Sequence, residues 1–129
     1  MIGVFANQCF ETHLVGEPGF IGLEVVKRQK EAGPPCKRLV QLRLNDSSAL
    51  CYHEEPIIID GRIVGTVTSG MYGFREEASL AMGYILMPEP VTAAMLAASK
   101  VQVEVADRRI DATAQLGPWY DPKMARVKS

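Results

Sequence analysis

DGRIVGTVTSGMYGFREEASLAMGY, residues 60–84, decides the fold of this chain. Its first two residues, Asp60 and Gly61, form a two-residue turn signal between the apolar residues 57–59 and residues 62–68. Such turns require positive φ, which glycine adopts without steric cost and aspartate tolerates better than most residues. The pattern therefore predicts a strand, a tight turn and a second strand.

Glycines follow inside and after the second strand, at Gly65, Gly70 and Gly73. A glycine within a strand indicates a bulge, a bend or a close approach of another backbone. Small sheets need such bends to curve into barrels. The alternative is an ordinary hairpin whose glycines have no role beyond turning the chain.

Alternating apolar and polar residues predict further strands on both sides of this stretch. They span residues 37–44, 100–106 and 109–116, and the last two are joined by a predicted tight turn at Asp107-Arg108. Residues 79–87 are predicted to form a second glycine-interrupted strand. Residues 50–55 are a loop or an edge strand, because the following proline cannot donate to a central ladder. Five or six short antiparallel strands predict a mainly β fold, a small barrel or a jelly-roll-like sandwich.

Two helices are expected beside these strands. Residues 18–32 predict an N-terminal helix with an apolar stripe at Ile21, Val25 and Val26, and Gly33 with the two following prolines ends it. Its basic residues form either a contact for an anion or a solvated face. Residues 91–99 have the composition of a short helix. Residues 1–16 fit no element, so the single predicted domain spans residues 17–129.

Composition and charge exclude several classes of protein. The chain has 129 residues, 47% of them hydrophobic, which suffices for one domain with a core. A net charge of −1 gives no electrostatic basis for binding nucleic acid or an anionic membrane, and no apolar run approaches the roughly 20 residues needed to span a bilayer. Three irregularly spaced cysteines and no signal-peptide pattern predict the cytoplasm or, in a eukaryote, the mitochondrial matrix.

Motifs for metal binding and catalysis are weak. Cys51 and His53 are the one close pair of metal-ligating residue types and would share a face of a strand, but no further ligand is near, so no metal site is predicted. Thr68 and Ser69 lack the glycine-flanked serine motif of hydrolases, and their hydroxyls are expected to bond backbone groups at a strand end.

Two acidic pairs, Glu54-Glu55 and Glu76-Glu77, are predicted to be solvated loop charges. Adjacent side chains of an extended chain point to opposite faces, which does not suit two carboxylates working together. No catalytic residue is therefore predicted.

The stretch quoted first belongs to a longer recognisable pattern. In chain order it comprises GFIGLE at residues 19–24, G-x3-GTVTSG at 61–70, LAMGYI at 80–85 and PWYDP at 118–122. The pattern covers residues 17–127 and resembles the C-terminal barrel domain of the glycine-cleavage T-protein (aminomethyltransferase) superfamily. Glu55-Pro56 and the Tyr-Asp-Pro ending resemble its dimethylglycine and sarcosine dehydrogenase branch.

This resemblance implies a six-stranded Greek-key barrel that closes one wall of a tetrahydrofolate cleft. The parent protein would transfer a methylene group from an aminomethyl carrier or an N-methylated glycine to the folate. In the family an aromatic residue of the closing motif lies near this cleft, which implies that Tyr120 or Trp119 binds the cofactor. The alternative is that Trp119 only plugs the end of the barrel.

The resemblance also implies partners. The family holds most of the folate, and its catalytic aspartate, in domains that precede the barrel, and FAD in a further domain of the dehydrogenase branch; the chain contains none of these. The expected partners are upstream folate-binding domains or a separate partner chain. The alternative is a stand-alone, non-catalytic interaction or regulatory module that exposes an apolar patch and forms a homo-oligomer through it.

Overall fold

Six antiparallel strands form a closed barrel in the computed structural model, which describes residues 21–126 and 128. The unassigned segment 1–16 and the first residues of the predicted helix lie outside the described residues. In chain order the elements are α1 (Leu23–Glu31), β1 (Lys37–Leu44), β2 (Pro56–Ile59), β3 (Arg62–Gly73), β4 (Ala78–Leu86), α2 (Ala93–Ala98), β5 (Val101–Val105) and β6 (Arg108–Gln115).

The strands follow a Greek-key order around the barrel. Their spatial order is β1-β4-β3-β2-β5-β6, and β6 pairs back to β1. Strands β2, β3 and β4 form a meander, while β1, joined to β2 by a long connection, returns to lie beside β4. The predicted fold class is therefore confirmed, with α1 before the barrel and the short second helix inserted between β4 and β5.

The β2–β3 turn has the predicted geometry. Asp60 and Gly61 both have positive φ, 49° and 83°, as a type I′ hairpin turn requires. Asp60 also ties the turn to the start of β5, because its amide donates to the Lys100 carbonyl at 3.0 Å and its carboxylate accepts from the Lys100 amide at 2.9 Å. The turn thus fixes both the register of the hairpin and the position of the next strand along the barrel.

Two glycines allow β3 and β4 to approach closely. A Cβ at Gly65 of β3 would lie 1.9 Å from the Tyr84 carbonyl oxygen, and a Cβ at Gly83 of β4 would lie 2.3 Å from the Thr66 carbonyl oxygen. Each strand therefore contributes one glycine where the other strand's backbone passes. Close approach is one of the roles predicted for glycine in this strand, and here it is the role of Gly65.

The interior is filled by the alternating apolar residues of the strands. On β1 the side chains of Val40, Leu42 and Leu44 are buried, as predicted, and on β5 Val101 and Val103 are buried. They belong to one core cluster that also takes in Leu96 from α2. The core therefore depends on the period-two pattern of the strands, with α2 covering one part of it.

The predicted position of the second hairpin turn was wrong by one residue. The β5–β6 turn consists of Ala106 and Asp107, whose φ angles are 47° and 60°, and Val105 pairs with Arg108. The turn begins one residue before its predicted position because the buried Val101 and Val103 set the register, and a positive φ at alanine leaves no mark in the sequence.

The predicted apolar stripe of α1 was also wrong at Ile21 and Val25, although Val26 is partly covered. Ile21 is fully exposed and precedes the helix, Val25 is half exposed, and the partly buried residues are Leu23, Val26 and Gln29. The helix begins later than predicted, after Gly22, so Ile21 lies outside it, and its partly covered side chains are spaced three residues apart. Its basic residues are exposed, in keeping with a solvated face.

Candidate functional site

The tail after β6 doubles back on itself. The Gln115 side-chain amide donates to the Gly117 carbonyl at 2.9 Å, which holds the exit from the strand. Asp121 then adopts a positive φ of 43°, and its carboxylate accepts from the backbone amides of Ala125 at 2.8 Å and Arg126 at 3.0 Å. The aspartate of the PWYDP motif is therefore a structural residue that shapes the tail.

This turn places Tyr120 between two arginines. The guanidinium carbon of Arg75 lies 5.3 Å from the centre of the Tyr120 ring, and that of Arg126 lies 6.0 Å from it. Arg75 belongs to the β3–β4 turn, so the cluster joins the tail to a distant part of the sequence. Tyr120 is 42% exposed, so part of its aromatic surface faces solvent beside the two guanidinium groups.

The indole N–H of Trp119 has no hydrogen-bond acceptor among the described residues. The Trp119 side chain is partly buried, and its Nε1 atom is buried. An indole N–H can only donate, and a buried donor without a partner costs about 1–3 kcal/mol. The next residue, Tyr120, is part of the arginine cluster, so a buried donor and an exposed aromatic ring are adjacent in the motif.

The β3–β4 face carries an open groove of about 420 Å³. Its lining is mostly apolar and comprises Gln41, Ser69, Gly70, Met71, Tyr72, Gly73, Leu80, Ala81 and Met82. The Thr68 hydroxyl beside it donates to the Met82 carbonyl at 3.0 Å, so its predicted bond to a backbone group is confirmed. Thr68 lies at a bulge between β3 and β4 rather than at a strand end, because β3 continues to Gly73.

The Cys51 and His53 side chains do not share a face. Both lie in the loop before β2, where Cys51 is buried, His53 is exposed and Glu54 has a positive φ of 69°. Burial, followed by the nearby Glu55 carboxylate, raises the pKa of the Cys51 thiol to about 12. In the part of the chain that the structure describes, no three or more His, Cys, Asp or Glu side chains group as metal ligands would.

The acidic pairs are more involved in the fold than predicted. Glu55 accepts from the Tyr52 amide at 2.8 Å, and Glu76 forms an ion pair with Arg43 at 3.6 Å with its side chain largely covered. Only the other member of each pair, Glu54 or Glu77, is a solvated loop charge. Both pairs lie in turns where a positive φ separates their side chains.

Sequence reasoning named Trp119 and Tyr120 but missed the arginines around them. Arg75 directly precedes the Glu76-Glu77 pair, which was predicted to be solvated loop charge, and nothing in the spacing indicated that this loop meets the tail. Arg126 lies after the motif, and its position depends on the Asp121 hydrogen bonds. The assignment of Trp119 and Tyr120 as ligand-binding residues remains a prediction.

Comparisons with known proteins agree on one family. The family profile described as "Glycine cleavage T-protein C-terminal barrel domain" matches residues 37–121. The chain is 32% identical over 108 residues to an aminomethyltransferase of Parasynechococcus marenigrum, a match that covers 84% of this chain and 28% of the relative. It is 35% identical over 104 residues to a probable aminomethyltransferase of Natronomonas pharaonis, covering 79% of this chain and 26% of the relative.

A solved structure has the same fold. The glycine cleavage system aminomethyltransferase T from Bartonella henselae superposes with a TM-score of 0.61 at 21% identity, covering 80% of this chain and 27% of that one. The chain thus spans about a quarter of the length of the relatives it matches. No helix among the described residues is long and apolar enough to cross a membrane.

The closed Greek-key barrel with its aromatic tail defines a small antiparallel β-barrel domain. The family profile covers all six strands of the barrel and the first part of the tail, through Asp121. The chain belongs to the glycine cleavage T-protein C-terminal barrel family.

Proposed function

We propose that this chain is the barrel component of a folate-dependent aminomethyl-transfer protein and that its tail forms one wall of the tetrahydrofolate cleft. The observation that carries the proposal is the Tyr120 ring flanked by Arg75 and Arg126, next to the unpartnered indole N–H of Trp119. The relatives named aminomethyltransferases supply the reaction class.

The residues of this cluster fit the chemistry of a folate. A folate combines flat heteroaromatic and benzoyl rings with a glutamate tail that carries carboxylates. Aromatic rings pack on tyrosine and tryptophan surfaces, and carboxylates form charge-assisted hydrogen bonds with guanidinium groups. A folate carbonyl or carboxylate would also give the Trp119 indole the acceptor it lacks. When bound, the folate supplies the nitrogen atoms that accept the one-carbon unit.

The chain's own contribution is binding and orientation. Tyr120 would limit how the ligand's rings tilt, Arg75 and Arg126 would hold its negative charge, and Trp119 would fix it by one hydrogen bond. The partly covered carboxylates of Glu55 and Glu76 already bond within the fold. Proton transfer is therefore assigned to companion domains, upstream in the polypeptide or in a partner chain.

A second candidate differs in the one-carbon donor. Glu55-Pro56 and Tyr120-Asp121-Pro122 resemble the dimethylglycine and sarcosine dehydrogenase branch, in which a flavin domain oxidises an N-methyl group before its transfer. Both candidates place the same folate wall on the barrel. A companion that contains flavin would favour the dehydrogenase, and one without flavin would favour the aminomethyltransferase.

The test is a thermal unfolding experiment on the 129-residue chain with tetrahydrofolate or 5-formyl-tetrahydrofolate. Ligand at about 100 times its dissociation constant stabilises a fold by about 2.7 kcal/mol, which corresponds to a rise in melting temperature of roughly 10 °C for a domain of this size. Trp119 is the single tryptophan, so its fluorescence reports binding at this site directly.

Tyr120→Ala should remove the stabilisation, and the matched control Tyr52→Ala, at another exposed tyrosine, should keep it. Arg75→Ala should weaken binding of the full folate more than binding of a pterin that lacks the glutamate tail. No stabilisation up to millimolar ligand, or equal stabilisation of both tyrosine variants, would contradict the assignment of the cleft wall. In that case the chain would be a docking or regulatory module.

A further inference from the structure

The β3–β4 turn, which carries Arg75, consists of residues 74–77 and joins two neighbouring strands of the barrel. Inside it the Glu76 amide donates to the Gly73 carbonyl at 3.1 Å, and Glu77 adopts a positive φ of 48°. Three of the four turn residues, including Arg75, are exposed, and Glu76 alone is partly covered. Exposed turns move more easily than the strands they join, so the position of Arg75 depends on what holds Glu76.

Arg43 of β1 holds Glu76 at two points. One terminal nitrogen of its guanidinium group, Nη2, donates to the Glu76 carbonyl at 3.2 Å, and the other, Nη1, lies 3.6 Å from the Glu76 carboxylate oxygen Oε2. A planar guanidinium group can make both contacts at once, whereas an ammonium group acts as a single point charge. Because Arg75 directly precedes Glu76, these contacts restrict the backbone from which the Arg75 side chain extends.

The strand that carries Arg43 is a rigid support for these contacts. Arg43 pairs with Leu80 of β4 on one side and with Thr113 of β6 on the other. Its backbone therefore lies inside the closed barrel, where each strand is paired on both sides. Binding sites are placed accurately when a residue on a regular element supports the residues that touch the ligand. Arg43 stands in this relation to the turn.

The contact between Arg75 and Tyr120 tolerates little displacement. The guanidinium carbon of Arg75 lies 5.3 Å from the centre of the Tyr120 ring, and a cation is attracted to an aromatic ring within about 6 Å. A shift of the turn by about 1 Å away from the tail would carry Arg75 beyond that range. Arg126, at 6.0 Å, would then be the one arginine left beside the ring.

We propose that Arg43 is a positioning residue for the ligand site on the tail: by binding Glu76 it holds the β3–β4 turn where Arg75 meets Tyr120. The proposal rests on the proposed function for the identity of the ligand, whereas the placement of Arg75 is a property of the chain without ligand. An exposed ion pair stabilises a fold very little. Loss of Arg43 should therefore change this placement and the ligand affinity rather than folding.

Nuclear magnetic resonance of the 129-residue chain without ligand tests the placement. Protons near the Tyr120 ring carry a ring-current shift, so the Arg75 side-chain signals should move when Tyr120→Leu removes the ring. Arg43→Met keeps an apolar stem without the donors, and it should move these signals in the same direction while the melting temperature stays close to that of the wild type. The matched control Arg109→Met breaks an ion pair of 3.4 Å with Glu104, between strands that contribute no residue to the cluster, and should leave the Arg75 signals in place.

Ligand affinity tests the consequence. The dissociation constant of 5-formyl-tetrahydrofolate, measured by Trp119 fluorescence, should rise about tenfold in Arg43→Met, as in Arg75→Ala, because both remove one charge-assisted contact. The double variant should bind no more weakly than Arg75→Ala alone, since the two substitutions act on the same contact. Arg43→Lys can keep one of the two contacts with Glu76, so its affinity should lie between those of the wild type and Arg43→Met.

Three results would overturn the proposal. They are unchanged Arg75 signals in Arg43→Met, a double variant that binds about a hundredfold more weakly than the wild type because the two arginines act independently, and a melting temperature that falls by several degrees in both Arg43→Met and Arg43→Lys. Equal folate affinity of the wild type and Arg43→Met would also refute it while the proposed function stands. A wild type that binds no folate, together with loss of the Arg75 shift in Arg43→Met, would refute the proposed function and leave the placement of Arg75 by Arg43 standing.

Discussion

Replacing Gly65 with alanine should destabilise the barrel by several kcal/mol. The new Cβ would lie 1.9 Å from the Tyr84 carbonyl oxygen, 2.8 Å from the Tyr84 carbonyl carbon and 3.0 Å from the Ile85 Cα. All three atoms belong to the backbone of β4, so no side-chain rotation relieves the overlap. Strands β3 and β4 would have to separate locally by more than 1 Å to restore a normal contact.

The energetic cost follows from the backbone hydrogen bonds between β3 and β4 that this separation would break. A backbone hydrogen bond of about 2.9 Å stretched by 1 Å or more no longer satisfies the geometry of a bond. Losing about two such bonds, at about 1 kcal/mol each, and leaving a buried polar group unpaired, at about 1–3 kcal/mol, gives roughly 3–5 kcal/mol. For a domain whose total stability is about 5–15 kcal/mol, this is a large fraction.

Urea unfolding followed by circular dichroism and Trp119 fluorescence would measure the loss. At a slope of roughly 1.5 kcal/mol per molar urea, the unfolding midpoint should fall by about 2–3 M. The control is Gly61→Ala in the adjacent turn, where φ is +83° but no atom lies within 4 Å of the new Cβ. There only the left-handed backbone opposes alanine, at about 1–2 kcal/mol.

The two possible roles of Gly65 predict changes in stability of opposite sign. Gly65 has no positive φ, so without the close approach of Tyr84 an alanine would stabilise the protein by about 0.4–1 kcal/mol through the unfolded chain. A Gly65→Ala protein as stable as the wild type, or less affected than Gly61→Ala, would refute the idea that these glycines exist to let the two strands meet.

Three further predictions concern single side chains. The pKa of Cys51 rises from its ordinary 9.0 to about 12 on folding, so its protonated thiol favours the folded state below pH 9. This contribution to stability should disappear as the pH rises from 9 to 12. Urea unfolding across that range should show the decline in the wild type and not in Cys51→Ala. Thr92→Ala should cost about 1 kcal/mol in urea unfolding, because its hydroxyl accepts from the Met95 amide at 3.2 Å at the start of α2, whereas Thr92→Ser should cost much less. Trp119→Phe should change the melting temperature of the chain alone only a little, because it removes a buried N–H that has no partner among the described residues. The same substitution should weaken folate binding. A large loss of stability without ligand would instead favour the alternative in which Trp119 plugs the end of the barrel.

The barrel was predictable because its strands obey local rules. Alternation on β1 and β5 placed Val40, Leu42 and Val103 in the core, and Asp60-Gly61 fixed the first hairpin, since both features depend on residues close in sequence. The second turn was misplaced by one residue because Ala106 adopts a positive φ that tertiary register imposes and that alanine does not signal. Features set by residues close in sequence were predicted correctly, and the position of the second turn, which depends on strand register, was not.

The candidate site was predictable only in part, for the same reason. The closing motif led to Trp119 and Tyr120, but the Tyr120 cluster depends on Arg75 from the β3–β4 turn. That contact arises only when barrel closure brings the turn and the tail together.

Several ionisable side chains among the described residues are engaged in hydrogen bonds of the fold or buried within it. The Asp46 carboxylate accepts hydrogen bonds from the Ser48 hydroxyl and from the Ser48 amide at 2.9 Å, and these bonds, followed by the charge of Arg108, lower its pKa. Asp121 is occupied by the backbone of the tail, and the Cys51 thiol stays protonated at neutral pH. A general base must be free to exchange a proton with substrate near neutral pH. Hydrogen bonds that lower the pKa of Asp46 and burial that raises the pKa of Cys51 oppose such an exchange at these two groups. What the tail leaves exposed is the aromatic surface of Tyr120 beside two guanidinium groups, which under the proposed function would hold and orient an anionic ring system while a companion domain moves the proton.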